Sequence, residues 1–144
     1  MLENIKSIYF IGIGGVSMSA LAVMLKKRGY IVKGSDTTLS PLTDKLESEG
    51  IEIAEVSSEQ FTQECDAVVY TGAISQNNKD LLLAKRLGKE IFTRADLLGL
   101  FSQEKKTISV AGTHGKTTTT GMIATILLMA GVDPTVHIPF LLDF

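Results

Sequence analysis

Residues 110–118 read Val-Ala-Gly-Thr-His-Gly-Lys-Thr-Thr. These types in this order suit the handling of nucleotide phosphates. Backbone N–H groups of Gly112, Thr113, His114 and Gly115 can wrap a phosphate where glycine removes the side-chain obstacle. Lys116 supplies a mobile cation for the β- and γ-phosphates. The Thr117 hydroxyl is a hard oxygen ligand suited to Mg²⁺, and Thr118 continues the phrase. The pattern is that of a variant P-loop: the standard phrase has glycine five residues before Gly115, and here that position holds Val110. His114 lies inside the loop, where touching a ligand and merely capping the turn are both open to it.

A second glycine loop lies near the start of the chain, Gly12-Ile13-Gly14-Gly15-Val16-Ser17. Glycine permits a tight turn, and a missing Cβ lets a diphosphate approach the backbone. The helix that follows offers free N–H groups and the positive end of its dipole. Ser17 occupies the place of the third glycine of the dinucleotide fingerprint, so the loop fits a nucleotide better than it fits NAD. Asp36, in the phrase Gly34-Ser35-Asp36, stands where an acidic residue would contact a ribose. Thr71-Gly72-Ala73-Ile74-Ser75 follows a strong apolar strand at the end that faces the ligand crevice in open parallel sheets. The plainer readings are a turn that only joins strand to helix at 12–17 and a polar connecting loop at 71–75. Arg94 opens a late helix, either as a solvated charge or as a substrate contact.

The elements that must position these loops alternate. Residues 7–11, 30–33, 51–53, 67–71, 91–93 and 107–111 read as strands. Residues 17–28, 40–49, 78–87, 94–101 and 116–130 read as helices, with Gly29, Gly50, Gly88 and Gly131 as stops. Such alternation predicts an α/β fold, a Rossmann-like parallel sheet with helices on both faces. The polar stretch 102–106 reads as a linker. It divides a domain at 1–104 from the first strand–loop–helix unit of a P-loop domain at 105–144. Met122, Ile123, Ile126 and Leu127 read as the core face of the last helix, which would pack on neighbours outside this chain.

The 144 residues are 44% hydrophobic and 21% charged, an ordinary globular balance, with formal net charge -2. Lysines and arginines are scattered rather than grouped in a stripe, which argues against a nucleic-acid partner. The single cysteine, Cys65, has no intramolecular cysteine partner and reads as a partly buried structural thiol. Residues 7–25 carry no charge and have the length of a membrane span, but Gly12, Gly14 and Gly15 break the run. Strand, turn and helix explain those glycines; membrane insertion does not.

Taken together, Gly12-Ile13-Gly14-Gly15-Val16-Ser17-Met18-Ser19, Gly34-Ser35-Asp36, Thr71-Gly72-Ala73-Ile74 and above all residues 111–120 resemble the Mur ligases, over about residues 8–136. The resemblance implies a bacterial cytoplasmic enzyme of peptidoglycan synthesis. It implies ATP and Mg²⁺ at Gly112, Thr113, His114, Gly115, Lys116, Thr117 and Thr118, with Lys116 and Thr117 catalytic. It implies a UDP-sugar at Gly12, Gly14, Gly15, Val16, Ser17, Ser35, Asp36, Thr71, Gly72 and Ala73. Within the family the phrases are most similar to members that join L-alanine to UDP-N-acetylmuramate through an acyl phosphate.

Mur ligases have three domains, so this chain is expected to bind without ligating on its own. Residues 139–144 depart from the glycine-rich continuation the family leads one to expect. A sister ligase that attaches a recycled murein peptide to the same UDP-sugar shares these motifs. An NAD-dependent oxidoreductase accounts for Gly12–Gly15 and Asp36 but leaves Gly115-Lys116-Thr117 without a role. A non-catalytic nucleotide-binding module is the third alternative.

Overall fold

The apolar run near the start of the chain forms β1, Ser7–Ile11, whose residues alternate between two cores. Ile8 and Phe10 face one apolar cluster, and Tyr9 and Ile11 face the other. A strand buried on both faces is what a central parallel strand requires. The computed structural model describes residues 2 and 4–138. Its other strands are β2, Ile31–Asp36, β3, Glu52–Glu55, β4, Ala67–Tyr70, and β5, Glu90–Thr93. All pairings are parallel, in the order β3-β2-β1-β4-β5. The order reverses between β1 and β4, where open sheets of this kind hold their ligands.

One face is covered by α1, Val16–Lys27, α2, Pro41–Ser48, and α5, Arg94–Glu104. Their Met18, Leu21, Leu25, Leu46, Leu97 and Phe101 join Ile8 and Phe10. The other face takes α3, Glu59–Glu64, and α4, Lys79–Arg86, through Phe61, Leu81 and Ala84. The expected Rossmann-like α/β fold is the one found. The uncharged run at 7–25 is β1, a turn and most of α1. Among the described residues no helix is long and apolar enough to cross a membrane.

The chain divides into two units, residues 1–105 and 106–144. In the second, α6, Lys116–Met129, forms as expected. The expected stop glycines end α1, α2, α4 and α6 in one way. The N–H two residues past each cap reaches back: Tyr30 to Leu25 O, Ile51 to Leu46 O, Lys89 to Ala84 O, and Val132 to Leu127 O.

Four expectations need correction. β2 runs Ile31–Asp36, so the strand expected at 30–33 continues through Gly34-Ser35-Asp36. Gly34 lies beneath Ile13, and a Cβ there would stand 2.4 Å from Ile13 Cδ1. A further helix, α3, was not foreseen. Residues 102–104 belong to α5 rather than to a linker. There Glu104 pairs with Arg28 at 2.6 Å, and the same guanidinium lies 4.4 Å over the Phe101 ring. Finally, residues 107–111 form no strand, because a strand needs a neighbour's ladder and the described residues of that unit contain none. For the same reason Met122 and Ile126 are exposed while Ile123 and Leu127 are half-buried. The tail 139–144 lies outside the described residues.

A polar chain runs through the second core. Tyr9, Ser35 and Asp80 are fully buried. The Tyr9 hydroxyl lies 2.6 Å from both Ser35 Oγ and Asp80 Oδ2. A phenol has one proton, so Tyr9 donates to the carboxylate and Ser35 donates to Tyr9. Burial, then the Asp80 carboxylate, pushes the Tyr9 pKa above the ordinary tyrosine range. The Ser58 N–H also donates to Asp80 Oδ2, at 3.1 Å. Tyr9→Phe removes the link and leaves two buried groups short of a partner. The expected loss is about 1–3 kcal/mol of unfolding free energy in urea denaturation. A loss below about 0.5 kcal/mol would show that the chain of hydroxyls contributes nothing net.

Candidate functional site

The turn after β1 is held by β2. Gly12, at φ +80°, donates its N–H to Ser35 O at 2.8 Å, and Ile13 donates to the same oxygen at 3.0 Å. The Gly14 N–H goes to Asp36 Oδ2 at 2.8 Å, while Asp36 Oδ1 accepts from Thr38 N–H at 3.0 Å. Asp36, expected at a ribose, is therefore first of all the carboxylate that ties the loop down. A Cβ on Gly14 would lie 2.8 Å from Asp36 Oδ2 and 3.0 Å from its Cγ. The demand for glycine at 14 comes from Asp36 within the protein, before any ligand is considered.

The loop after β4 meets this turn. Thr71 organises it, its carbonyl accepting from Ile74 N–H at 3.0 Å and its Oγ1 from Ala73 N–H at 3.2 Å. Ile74 Cδ1 lies 3.3 Å from where a Gly12 Cβ would be, so the two loops touch. Gly72 has open space around it. Gly12, Gly14, Gly15, Val16, Ser17, Ser35, Asp36, Thr71, Gly72 and Ala73 thus sit at the C-terminal ends of β1, β2 and β4 and in the turns that follow. Arg94, the first residue of α5, donates from Nη1 to Ser17 Oγ at 3.0 Å. The sequence reading missed Tyr9 and Asp80, which buttress Ser35, and the contact of Ile74 with Gly12. The available signal was Tyr9 itself, a phenol in an otherwise apolar strand that must find a partner.

The helix starts divide into two kinds. In α3, α4 and α5 the side chains of Ser58, Asn78 and Thr93 accept first-turn N–H groups, with Glu59, Asp80 and Asp96 in the first turns. In α2, Thr43 Oγ1 accepts the Ser40 N–H at 2.8 Å, and Asp44 lies in the first turn. Among the described residues only α1 and α6, the helices after the two glycine loops, have neither a side-chain cap nor an acidic residue there. No capping side chain or first-turn carboxylate offsets the positive dipole end of either helix among the described residues, the condition for receiving an anion.

In the second unit Gly115 caps α6 at φ +76°, a conformation that side chains rarely adopt. Lys116 Nζ donates to Gly112 O at 2.6 Å, folding the lysine over its own loop. Gly112, Thr113, His114, Gly115, Lys116 and Thr118 are exposed and Thr117 is half-buried. Thr120 and Thr125 return their hydroxyls to helix carbonyls. The Thr117 hydroxyl makes no hydrogen bond among the described residues.

Cys65 lies within the second core, where burial pushes its thiol up to about 11. A neutral thiol there is no nucleophile. At pH 8 a disulfide reagent should modify it only on unfolding; modification of the folded chain within minutes would contradict this placement.

A five-stranded parallel sheet in this order, with a glycine turn at its switch point, defines a Rossmann-like α/β domain. The profile of the Mur ligase family, catalytic domain, matches residues 7–106. The chain is 48% identical over 142 residues to a UDP-N-acetylmuramate–L-alanine ligase of Acetivibrio thermocellus, covering 98% of this chain and 30% of that protein. It is 48% identical over 141 residues to the ligase of the same name from Clostridium kluyveri, covering 96% and 31%. Among solved structures it is similar to the UDP-N-acetylmuramate–alanine ligase of Thermotoga maritima. The TM-score is 0.78 at 34% identity, with 87% of this chain and 30% of that one covered. A murein peptide ligase of Psychrobacter arcticus gives a TM-score of 0.82 at 34% identity, covering 88% and 27%. The chain belongs to the Mur ligase family. It spans about 30% of the length of the curated relatives it matches.

Gly14→Ala should cost about 1–3 kcal/mol of stability through its collision with Asp36. In the double variant Gly14→Ala/Asp36→Ala the two losses should not add, because the collision has gone. Strict additivity in denaturant titrations would show that the close approach exerts no strain.

Proposed function

We propose that this chain is the UDP-sugar-binding and phosphate-loop part of an ATP-dependent ligase of bacterial, cytoplasmic peptidoglycan synthesis. The reaction joins L-alanine to UDP-N-acetylmuramate. The observation that carries the reading is the pair of uncapped, acid-free helix starts, α1 and α6, each preceded by a glycine loop. Two such anion seats suit a reaction with two phosphate-bearing substrates. The curated relatives cited above, at 48% identity, support the choice of L-alanine. The structural likeness to murein peptide ligases supports a second reading, a peptide-recycling ligase using the same UDP-sugar.

In this proposal the diphosphate of the UDP-sugar sits at Gly12, Gly14, Gly15, Val16 and Ser17, bordered by Ser35, Asp36, Thr71, Gly72 and Ala73. Gly112, Thr113, His114, Gly115 and Thr118 surround the phosphates of ATP. Lys116 exchanges its contact with Gly112 O for the β- and γ-phosphates and neutralises the phosphoryl group in flight. The hydroxyl of Thr117, free among the described residues, suits Mg²⁺, which shields the charge of the transferring phosphoryl group when bound. The substrate carboxylate accepts the γ-phosphoryl group, giving an acyl phosphate and ADP. The amine of L-alanine displaces phosphate to form the amide.

Calorimetric titration tests both seats. UDP-N-acetylmuramate should give heat and NADH none; heat from NADH alone would move the chain to the oxidoreductases. Lys116→Ala should weaken ATP–Mg²⁺ binding at least about tenfold, the scale of a charge-assisted contact, and leave the UDP-sugar titration unchanged. Unaltered ATP binding in that variant would remove the second loop from the proposal.

A further inference from the structure

We propose that Arg94 is a diphosphate clamp set by Ser17, an inference that rests on the UDP-sugar reading of the first loop. Arg94 begins α5 directly after β5, whereas Ser17 lies in the first turn of α1 after β1. β4 stands between those two strands. The hydrogen bond from Arg94 Nη1 to Ser17 Oγ, 3.0 Å, therefore passes over the C-terminal end of β4, beside the point where the strand order reverses. A serine in the place of the third fingerprint glycine gives this guanidinium its anchor.

Charge at the loop calls for such a group. Asp36 takes the Gly14 N–H and sets a negative carboxylate against the turn. That removes one amide from a phosphate's reach and repels the phosphate as well. Arg94 is half-buried and pairs with no carboxylate among the described residues. One guanidinium N–H goes to Ser17, and the others keep their donor capacity. A planar fork of donors beside an uncapped helix start matches two oxygens of a diphosphate, which a lysine in the same place would match less well. The ligand class is thus a nucleoside diphosphate or its sugar ester, gripped through the phosphates rather than the base.

The test is an NMR titration of the whole chain, following the amides of Gly15, Val16 and Ser17, with UDP and with uridine as probes. In Arg94→Gln the UDP affinity should fall about tenfold or more, as for loss of a charge-assisted contact, while the uridine affinity stays unchanged. Arg94→Lys should recover part of the loss, and Ser17→Ala should lose several-fold for UDP only. A native amide spectrum in each variant separates binding from folding. Should Arg94→Gln not fold, the UDP-over-uridine ratios of the other two variants decide. Equal UDP affinity in the variants and the unsubstituted chain would overturn the clamp and leave the UDP-sugar site standing, as would equal losses for UDP and uridine. An unsubstituted chain that binds neither probe would overturn the site and the clamp together.

Discussion

Three successive N–H groups of the first glycine turn end on the last two residues of β2, and the site is built outward from that junction. Gly12 and Ile13 share the Ser35 carbonyl, and Gly14 takes the Asp36 carboxylate. Hydrogen bonds to a charged acceptor contribute about 1.5–3 kcal/mol, more than neutral ones, so the Asp36 contact outweighs either of the other two taken singly. Underneath, Tyr9 and Asp80 hold the Ser35 side chain in a fully buried relay. Gly34 leaves room for Ile13 to descend onto β2. The direction of α1, and with it the direction of its first-turn N–H groups, follows from these few contacts.

The two glycine loops solve the same problem differently. The first is fixed from below by a strand and from the side by the Thr71–Ile74 turn, so its shape is set before a ligand arrives. The second is exposed and brings its own cation, which rests on the Gly112 carbonyl. Pre-organisation suits a substrate that must be placed once and held. In the proposed reaction, a lysine on a long unbranched stem suits a phosphoryl group that has to be followed while it moves.

Much of this was legible from residue order. The apolar run at 7–11, the stop glycines at 29, 50, 88 and 131, and the alternation of elements were enough for a parallel sheet with helices on both faces. Both glycine loops stood out because each sets two or more glycines within four residues directly between an apolar run and a helix. What was not legible has physical causes. The helix at Glu59–Glu64 has one apolar side chain, Phe61, and therefore no periodic stripe. The Gly34-Ser35-Asp36 phrase has turn-forming residues, yet Ile13 and the ladder to β3 make it strand. Residues 107–111 have strand composition, and composition supplies no partner strand. The Tyr9–Ser35–Asp80 relay joins three elements, and no local pattern in the chain announces it.

The contacts of Ile13 and Gly14 also decide how separable this glycine loop is. Its shape is written jointly by residues 12–15 and by residues 34–36, two stretches joined by the whole of α1. Grafting the glycine phrase alone onto another sheet would carry over the flexibility without the mould. The unit of transfer, for engineering and for recombination between related chains alike, is the complete β1–α1–β2 segment.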